Sequence, residues 1–276
     1  MTEGKQVSEH YSHGNLLEAI EDALSKLGKS PKNVTIHDLA PVDEFHIGGR
    51  QATERFLKQL EFPQKGHILD VGCGLGGAAR FVADMFDHLV SGIDLTKEYI
   101  DTGNALCAWV GLDNHITLHE GSALSMPFES ETFDGAYMMH VGMNIKDKEG
   151  LFKEVYRVLK PGAVFGVYDV MRDSAGELAY PVPWATDSST SHLGTPSEYS
   201  QALGEMGFEV LEINNRIDFA MEFFRQLKEK TEDAESTPPL GLHTLMQKTT
   251  AEKVKNMIDN IANGIIAPVE IVAKKV

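Results

Sequence analysis

Between residues 67 and 170 the chain alternates short apolar runs with longer stretches in which the apolar positions have helical spacing. The apolar runs predict five strands, "HILDV", "HLVSGID", "HITLHEG", "FDGAYMMH" and "AVFGVYDV". The stretches with helical spacing are "GAARFVADMF", "TKEYIDTGNALCAWVG" and "KEGLFKEVYRVLK". Strands that alternate with helices favour a parallel sheet with helices on both faces and right-handed crossovers.

The segment before this alternation predicts two helices. In "NLLEAIEDALSKLG" one helical face carries the apolar residues Leu16, Leu17, Ile20, Leu24 and Leu27. Asn15 is a candidate N-cap of this helix, and Gly28 ends it. "GRQATERFLKQL" has the apolar stripe of a second helix. We therefore expect a helical cap formed by residues 1–62.

The segment after residue 170 begins with an irregular stretch, 171–195, of a length typical of a lid. "SEYSQALGEMG" predicts a helix, "FEVLEIN" a strand, and residues 217–230 and 249–263 have helical patterns. "IIAPVEIVAKK" alternates well enough to predict a final strand. A strand, a helical insert and a strand in this order are consistent with an antiparallel pair at the sheet edge.

Together these patterns predict a single α/β domain with a doubly wound, mostly parallel seven-stranded sheet whose last strand is antiparallel. We expect the helical cap at 1–62, the sheet core with its ligand site at 63–170, and a lid loop, a helical insert and closing strands at 171–276.

Composition and charge exclude several classes of partner. The 276 residues carry a net charge of −16, which argues against nucleic acid and against anionic membrane. The charge serves solubility, or alternatively attracts a cationic substrate. The polar start "MTEGKQVSEHYSHG" resembles no signal peptide, and no run approaches the roughly 18 apolar residues of a membrane span. Cys73 and Cys107 are not placed to form a disulfide, so we expect a reducing, cytoplasmic compartment.

A glycine-rich turn follows the first strand of the core. Gly72, Gly74, Gly76 and Gly77 lie where a backbone can pass close to a ligand, and the helix that follows offers free N–H groups. Asp94 ends the next strand, where its carboxylate can accept hydrogen bonds from ribose hydroxyls. These features fit NAD and S-adenosylmethionine equally well. The alternative is a turn needed only for tight packing of helix on strand.

Asp70 distinguishes between the two nucleotides. It lies just before the glycines, where a carboxylate would repel a pyrophosphate and attract a cationic ligand without phosphates. S-adenosylmethionine has an ammonium group, a sulfonium and no phosphate. The alternative is that Asp70 only caps the turn. Ser122 and Ala123 follow the third strand and leave room for a flat adenine. We therefore predict S-adenosylmethionine as the cofactor.

The motifs "ILDVGCGLGG", "GIDLT", "EGSALSMPFESETFD" and "RVLKPGA" together resemble those of class I S-adenosylmethionine-dependent methyltransferases over residues 65–170. The flanking stretches "DEFHIGGRQAT", "HVGMNIKDK" and "YPVPWA" resemble a small-molecule branch that includes the sarcosine/dimethylglycine N-methyltransferases. The resemblance implies the Rossmann-like methyltransferase fold.

The resemblance also implies roles for the residues in the core motifs. Asp70 and Gly72 would hold the ammonium end of the cofactor, and Gly74 would line its approach. Asp94 would bind both ribose hydroxyls and Leu95 would flank the adenine.

Five further residues take roles from the resemblance. Ser122 and Ala123 would contact the adenine amine, where many relatives carry Asp-Ala. His140 would face the methionine portion and the substrate. Gly49 and Arg50 resemble a helix start that closes over the cofactor carboxylate, and a helix N-terminus with an arginine does attract anions.

Methyl transfer from a sulfonium requires placement of the acceptor more than chemical activation, and it requires no metal. If the acceptor loses a proton, a base helps, and His140 is the candidate. The alternative is that His140 packs or orients the cofactor. His46, His192 and His243 lack the spacing of metal ligands, so no metal site is predicted.

Three residues in and near the predicted lid are candidates for substrate contact. Tyr180 and Trp184 would line a cation-binding wall, or Trp184 would anchor the lid by packing. Arg172 would meet a substrate carboxylate, or else lie solvated in the loop.

The sequence thus predicts transfer of a methyl group to a small molecule, with an amine nitrogen of the sarcosine or dimethylglycine kind as the leading acceptor. Oxygen, sulfur and carbon acceptors remain alternatives, because the motifs describe only the cofactor half. An NAD-dependent oxidoreductase and a non-catalytic cofactor-binding module are the competing classes. The sequence leaves open whether the chain is a monomer or a homodimer.

Overall fold

The computed structural model describes residues 3–12, 14–232, 238–246 and 249–276. The strands are β1 His67–Val71, β2 Leu89–Asp94, β3 Ile116–Glu120, β4 Phe133–Met139, β5 Leu159–Arg172, β6 Phe208–Asn215 and β7 Ile266–Lys275. The helices are α1 Glu3–Tyr11, α2 Leu16–Lys26, α3 Ile36–Asp43, α4 Gly49–Lys58, α5 Gly77–Phe86, α6 Lys97–Trp109, α7 Lys148–Val158, α8 Pro196–Glu205, α9 Ile217–Glu232, α10 His243–Met246 and α11 Thr250–Ala262. Short 3₁₀ helices lie at Gly142–Asn144 and Ser188–Thr190.

The seven strands form one sheet in the order β3-β2-β1-β4-β5-β7-β6. β7 runs antiparallel to both of its neighbours, β5 and β6, whereas the remaining pairs are parallel. The predicted sheet with its antiparallel last strand is therefore confirmed. The strand order reverses between β1 and β4, and ligands of doubly wound sheets bind at the carboxyl ends of the strands at such a point.

Helices cover both faces of the sheet. On one face Phe152 of α7 and Tyr199 of α8 are fully buried against the central strands. On the other face Phe56 of α4 and Val82 of α5 are fully buried, together with Tyr137 of β4. The apolar stripes of these helices face inward, so hydrophobic burial on both sides stabilises the layered arrangement.

Two N-terminal helices were not predicted from the hydrophobic pattern. α1 comes from a polar stretch with few apolar positions. α3 begins at a capping box in which the Thr35 hydroxyl accepts from the Asp38 N–H at 3.3 Å, and the Asp38 carboxylate accepts from the Thr35 N–H at 2.9 Å. This threonine-to-aspartate spacing was the signal available in the sequence.

The stretch predicted as a lid begins later than expected, because β5 continues to Arg172 through its pairing with Ile266 of β7. Val182 and Trp184 in this stretch are buried, and they pack in one cluster with Phe224 of α9 and Met257 of α11. Among the described residues, no helix is long and apolar enough to span a membrane.

Candidate functional site

A cavity of about 950 Å³ lies at the carboxyl ends of β1, β2 and β4, and we call it the chamber. Its floor comes from the strand ends and the loops that follow them. Its roof comes from α1, from the α3–α4 connection and from α10. The floor residues are Asp70, Gly72, Cys73, Gly74, Asp94, Leu95, Thr96, Gly121, Ser122, Ala123, Met139, His140 and Val141. The roof residues include Gly4, Val7, Ser8, Tyr11, Phe45, His46 and Leu245.

The glycines of the turn after β1 serve two purposes. A Cβ atom at Gly72 would lie 2.3 Å from Val141, and one at Gly77 would lie 2.4 Å from Asp43, so these two glycines allow close packing. Gly74 has a φ of 52°, and a Cβ atom there would meet nothing nearer than Tyr99 at 4.0 Å. Gly74 is therefore the glycine of this turn that leaves room beside the chamber for a ligand.

Asp70 is a buried carboxylate at the end of β1. One of its oxygens accepts a hydrogen bond from the Tyr137 hydroxyl at 2.9 Å. Burial raises the pKa of Asp70 to about 7, the negative charges of Asp94 and Glu44 add to this, and the Tyr137 hydrogen bond opposes it. A carboxylate so poorly solvated is stabilised by a positive group in the chamber, and the ammonium end of S-adenosylmethionine is such a group.

Asp94 ends β2 with both carboxylate oxygens fixed by backbone donors. One oxygen accepts from the Gly74 N–H at 3.0 Å, and the other accepts from the Thr96 N–H at 2.8 Å. Burial raises the pKa of Asp94. Because a carboxylate oxygen can accept more than one hydrogen bond, each oxygen can also accept one from a ribose hydroxyl.

Leu95, Ser122 and Ala123 lie in the chamber wall next to Asp94. The side chain of Leu95 packs beneath α1 at Gly4. The Ser122 hydroxyl accepts from the Leu124 N–H at 3.2 Å, which holds the loop after β3 in a tight turn. All three residues thus border the chamber, and their contact with the adenine stays a prediction.

His140 follows β4 with a φ of 57°, an uncommon backbone conformation for a residue other than glycine. Its N–H donates to the Tyr168 carbonyl at 2.7 Å, and its ring lies 5.0 Å from the Tyr168 ring. Burial and the neighbouring His46 hold the pKa of His140 well below its usual value.

Two buried polar atoms of the chamber wall, His140 Nε2 and the Tyr99 hydroxyl oxygen, have no hydrogen-bond partner among the described residues. Buried polar groups in proteins are almost always paired, so these two atoms fit a polar ligand in the chamber.

The roof of the chamber contains residues that sequence reasoning missed. The Ser8 hydroxyl donates to the Leu95 carbonyl at 3.4 Å, and the Tyr11 hydroxyl donates to Asn144 Oδ1 at 3.2 Å. His46 lies in the α3–α4 connection. No pattern in the sequence could have identified these residues, because each contacts a partner that is distant along the chain or is placed by the packing of the roof.

Gly49 and Arg50, predicted to close over the cofactor, lie outside the chamber lining. The Arg50 side chain forms an ion pair with the Glu44 carboxylate at 2.8 Å, and its guanidinium lies 5.1 Å from the ring centre of Phe81. A contact of Arg50 with the cofactor carboxylate therefore stays a prediction, and within the described part of the chain the charge partner of Arg50 is Glu44.

The three candidate substrate residues also lie outside the chamber lining. Trp184 is buried, and its Nε1–H donates to the Ser191 hydroxyl at 3.0 Å. Arg172 donates to the Gly176 carbonyl at 2.8 Å, and Tyr180 packs in the same cluster as Trp184. Trp184 reaches the chamber only indirectly, because its carbonyl accepts from the Asn144 amide at 2.9 Å.

Known sequences are similar to this chain mainly over the sheet core. A family model described as a methyltransferase domain matches residues 69–167. A sterol 24-C-methyltransferase of Debaryomyces hansenii is 30% identical over 204 residues, which cover 70% of this chain and 51% of the relative. The corresponding enzyme of Candida albicans is 34% identical over 178 residues, which cover 58% of this chain and 46% of the relative. The chain thus spans about half the length of the curated relatives it matches.

Solved structures share the fold over nearly the whole chain. One is the geranyl diphosphate C-methyltransferase of Streptomyces coelicolor, solved in complex with Mg²⁺, geranyl-S-thiolodiphosphate and S-adenosyl-L-homocysteine. It superposes with a TM-score of 0.71 at 16% identity, and the superposition covers 100% of this chain and 99% of that chain. A structure from Galdieria sulphuraria, described as a sarcosine dimethylglycine methyltransferase, superposes with a TM-score of 0.67 at 19% identity. The superposition covers 94% of this chain and 98% of that chain.

Proposed function

Because residues 69–167 match the model of a methyltransferase domain, we propose that this chain transfers the methyl group of S-adenosylmethionine to a small organic acceptor bound in the chamber. One observation carries the proposal. Asp70, Gly74, Asp94 and His140, which are separate in sequence, meet around a single chamber that is roofed by α1.

The chamber residues fit a cationic adenosine compound without phosphates. Asp70 would hold its ammonium end, Asp94 its ribose hydroxyls, and Ser122 and Ala123 its adenine. His140 would lie beside the methionine portion. When bound, S-adenosylmethionine supplies a methyl group that is already activated on a sulfonium. The chain's own residues then have to hold the acceptor in line with that methyl group and exclude water.

The charge of the chamber bears on the acceptor. Its described lining includes four carboxylates, those of Asp43, Asp70, Asp94 and Asp147. Among the described Lys and Arg residues, only Lys146 belongs to this lining, and Lys146 is exposed. Asp43 is paired with the buried Arg80 at 2.7 Å. This balance favours a neutral or cationic acceptor over an anionic one, and it supports an amine nitrogen as the leading acceptor.

A carbon acceptor is the second candidate. Val7, Phe45, Val141 and Ile145 give the chamber an apolar wall, which suits an apolar substrate. The sterol 24-C-methyltransferase relatives support the same candidate.

The test is the release of S-adenosylhomocysteine from S-adenosylmethionine with a panel of acceptors. The panel contains N-methylethanolamine, N,N-dimethylethanolamine, sarcosine, dimethylglycine, a phenol, a thiol, a sterol and geranyl diphosphate. We expect release with an amine or the sterol, and a lower kcat/KM for sarcosine than for N-methylethanolamine because of the sarcosine carboxylate.

Two results would contradict the proposal. Calorimetric binding of NADH in preference to S-adenosylmethionine would replace the methyltransferase with an oxidoreductase. Tight binding of S-adenosylmethionine without release with any acceptor would favour a non-catalytic binding module. His67→Gln serves as the control variant, since His67 lies outside the chamber lining and its ring contacts the Ser91 hydroxyl at 2.8 Å.

A further inference from the structure

His46, in the roof of the chamber, is held by several polar groups through one ring nitrogen. His46 Nε2 lies 2.9 Å from the Thr53 hydroxyl oxygen, 3.2 Å from the Gly49 carbonyl oxygen and 3.4 Å from the Glu44 carboxylate. Glu44 is itself buried, and it also pairs with Arg50. The imidazole of His46 is therefore fixed in orientation by the α3–α4 connection and the first turns of α4.

The hydrogen-bond network determines which ring nitrogen carries the proton. The single hydroxyl hydrogen of Thr53 is donated to the Glu44 carboxylate at 2.6 Å. The Thr53 oxygen and the Gly49 carbonyl can then act only as acceptors toward His46. Nε2 must therefore be the protonated nitrogen, and Nδ1 carries the lone pair.

Nδ1 is the nitrogen of His46 that remains available to a ligand. It makes no hydrogen bond to any described residue, and the His46 side chain lies in the chamber lining. Its ring is also 5.9 Å from the ring of His140, so the two histidines border the same part of the chamber.

The surroundings of the two histidines differ in one respect. Burial lowers the pKa of His46 as it does that of His140, and the Arg50 guanidinium adds to this, but the Glu44 carboxylate beside the protonated nitrogen of His46 opposes the shift. His140 has no carboxylate partner among the described residues, so no anion stabilises a proton on its ring, and His46 opposes that proton.

We propose that His46, supported by Glu44 and Thr53, is the residue that accepts the proton released by the acceptor during methyl transfer, and that His140 orients the bound molecules. This assignment rests on the proposed function. It gives to His46 the base role that the sequence suggested for His140.

In the proton transfer an N–H or O–H bond of the acceptor breaks, and its electron pair stays on the acceptor atom. The proton forms a bond to Nδ1 of His46, which becomes an imidazolium whose Nε2–H faces Glu44. The electron pair of the acceptor atom forms the new bond to the methyl carbon, the carbon–sulfur bond of S-adenosylmethionine breaks, and the electron pair of that bond stays on the sulfur.

The first test uses nuclear magnetic resonance on the folded protein saturated with S-adenosylhomocysteine, without turnover. The nitrogen shifts of His46, assigned by comparison with His46→Gln, report which ring nitrogen is protonated. We expect the Nε2–H tautomer, and a titration midpoint that falls by at least half a pH unit in Glu44→Gln, because the imidazolium loses its anion. The Nδ1–H tautomer, or an unchanged midpoint, would overturn the proposal.

The charged and titratable groups that face His46 are Glu44 and Arg50 from the connection and α4, His140 after β4, and Tyr168 of β5. Tyr168 stays neutral because burial raises its pKa. The change of the His46 midpoint in Glu44→Gln is therefore assigned to the loss of the carboxylate, once His140→Gln is shown to leave the His46 midpoint unchanged.

The second test measures kcat against pH with an acceptor from the panel that loses a proton. We expect His46→Gln to lower kcat by about 100- to 10,000-fold, the usual contribution of a general base. The acidic limb of the profile should move to lower pH in Glu44→Gln. His67→Gln should match the wild type. A smaller loss in His46→Gln than in His140→Gln would return the base role to His140.

The two tests separate this proposal from the proposed function. If the protein binds S-adenosylhomocysteine but methylates nothing, the proposed function fails while the tautomer still reports on the network around His46. If methyl transfer occurs and His46→Gln retains it, only the present proposal fails.

Discussion

The hydroxyl of Tyr11 donates a hydrogen bond to Asn144 Oδ1 at 3.2 Å, and this bond joins the first helix to the loop after β4 across the chamber. The Asn144 amide in turn donates to the carbonyl oxygens of Trp184 and Thr190, both at 2.9 Å. One asparagine therefore connects α1, the 3₁₀ helix at Gly142–Asn144 and the loop before α8. This network links three segments that are distant along the chain.

Tyr11→Phe should weaken binding of S-adenosylhomocysteine by about 2- to 10-fold, because one hydrogen bond that holds the roof is worth about 0.5–1.5 kcal/mol. Calorimetry measures the change. Tyr156→Phe is the matched control, since the Tyr156 hydroxyl donates to the Val276 carbonyl on the exposed surface. Equal affinities for wild type and Tyr11→Phe would show that α1 does not hold the ligand.

Asp94→Ala should weaken cofactor affinity by about 100-fold, because hydrogen bonds to a charged group are worth about 1.5–3 kcal/mol each. The variant loses the ribose contacts, and it also loses the hydrogen bonds that the Gly74 and Thr96 N–H groups donate to Asp94. Equilibrium calorimetry with S-adenosylmethionine provides the measurement. Asp101→Ala is the control, because Asp101 pairs with Lys97 on the exposed face of α6. Unchanged binding in Asp94→Ala would refute the site described above.

Cofactor affinity should depend on pH through Asp70, whose pKa lies at about 7 in the free protein. The cofactor ammonium requires the ionised carboxylate. Below pH 7 Asp70 is protonated, so the affinity should fall up to tenfold per pH unit, and above pH 7 it should level off. Burial also raises the pKa of Asp94, so protonation of Asp94 acts in the same direction.

Asp70→Asn isolates this effect, because an amide cannot ionise. Its affinity should be low and should change less with pH than that of the wild type between pH 5.5 and 8.5. The raised pKa also means that ionised Asp70 destabilises the free protein as pH rises from about 4 toward 7. Asp70→Asn should therefore raise the melting temperature more at pH 8 than at pH 5. A wild-type affinity that stays constant across this range would contradict the prediction.

Trp184→Ala should destabilise the protein by about 3–5 kcal/mol, because it removes a large buried side chain and leaves a cavity. We expect this loss of stability because Trp184 packs in the protein interior and, lying outside the chamber lining, does not contact the substrate directly. Urea denaturation measures the loss. Leu211→Ala is the control, because Leu211 is 48% exposed on β6 and should change stability by less than about 0.5 kcal/mol. A selective rise in acceptor KM with unchanged stability would return Trp184 to the substrate site.

The order of strands and helices could be predicted because the information is local. Alternation between periods of two and 3.6 residues marks each element, and alternating strands and helices favour a parallel sheet with helices on both faces. α1 escaped prediction because few apolar residues mark its buried side, and its stability comes from contacts with Leu95 and Asn144 far along the chain.

By itself the sequence determined the fold, the glycine turn and the carboxylates at the ends of β1 and β2, because parallel strands bring their carboxyl ends to one edge regardless of what packs above them. Only the tertiary structure decided which side chains close the chamber. The α3–α4 connection folds back on α4, which brings His46 and Glu44 into contact with Thr53. Arg50 pairs with Glu44. Trp184 lies outside the chamber lining, and its carbonyl accepts a hydrogen bond from the Asn144 amide. These contacts depend on the packing of loops and helices against the sheet, which no periodicity along the chain records.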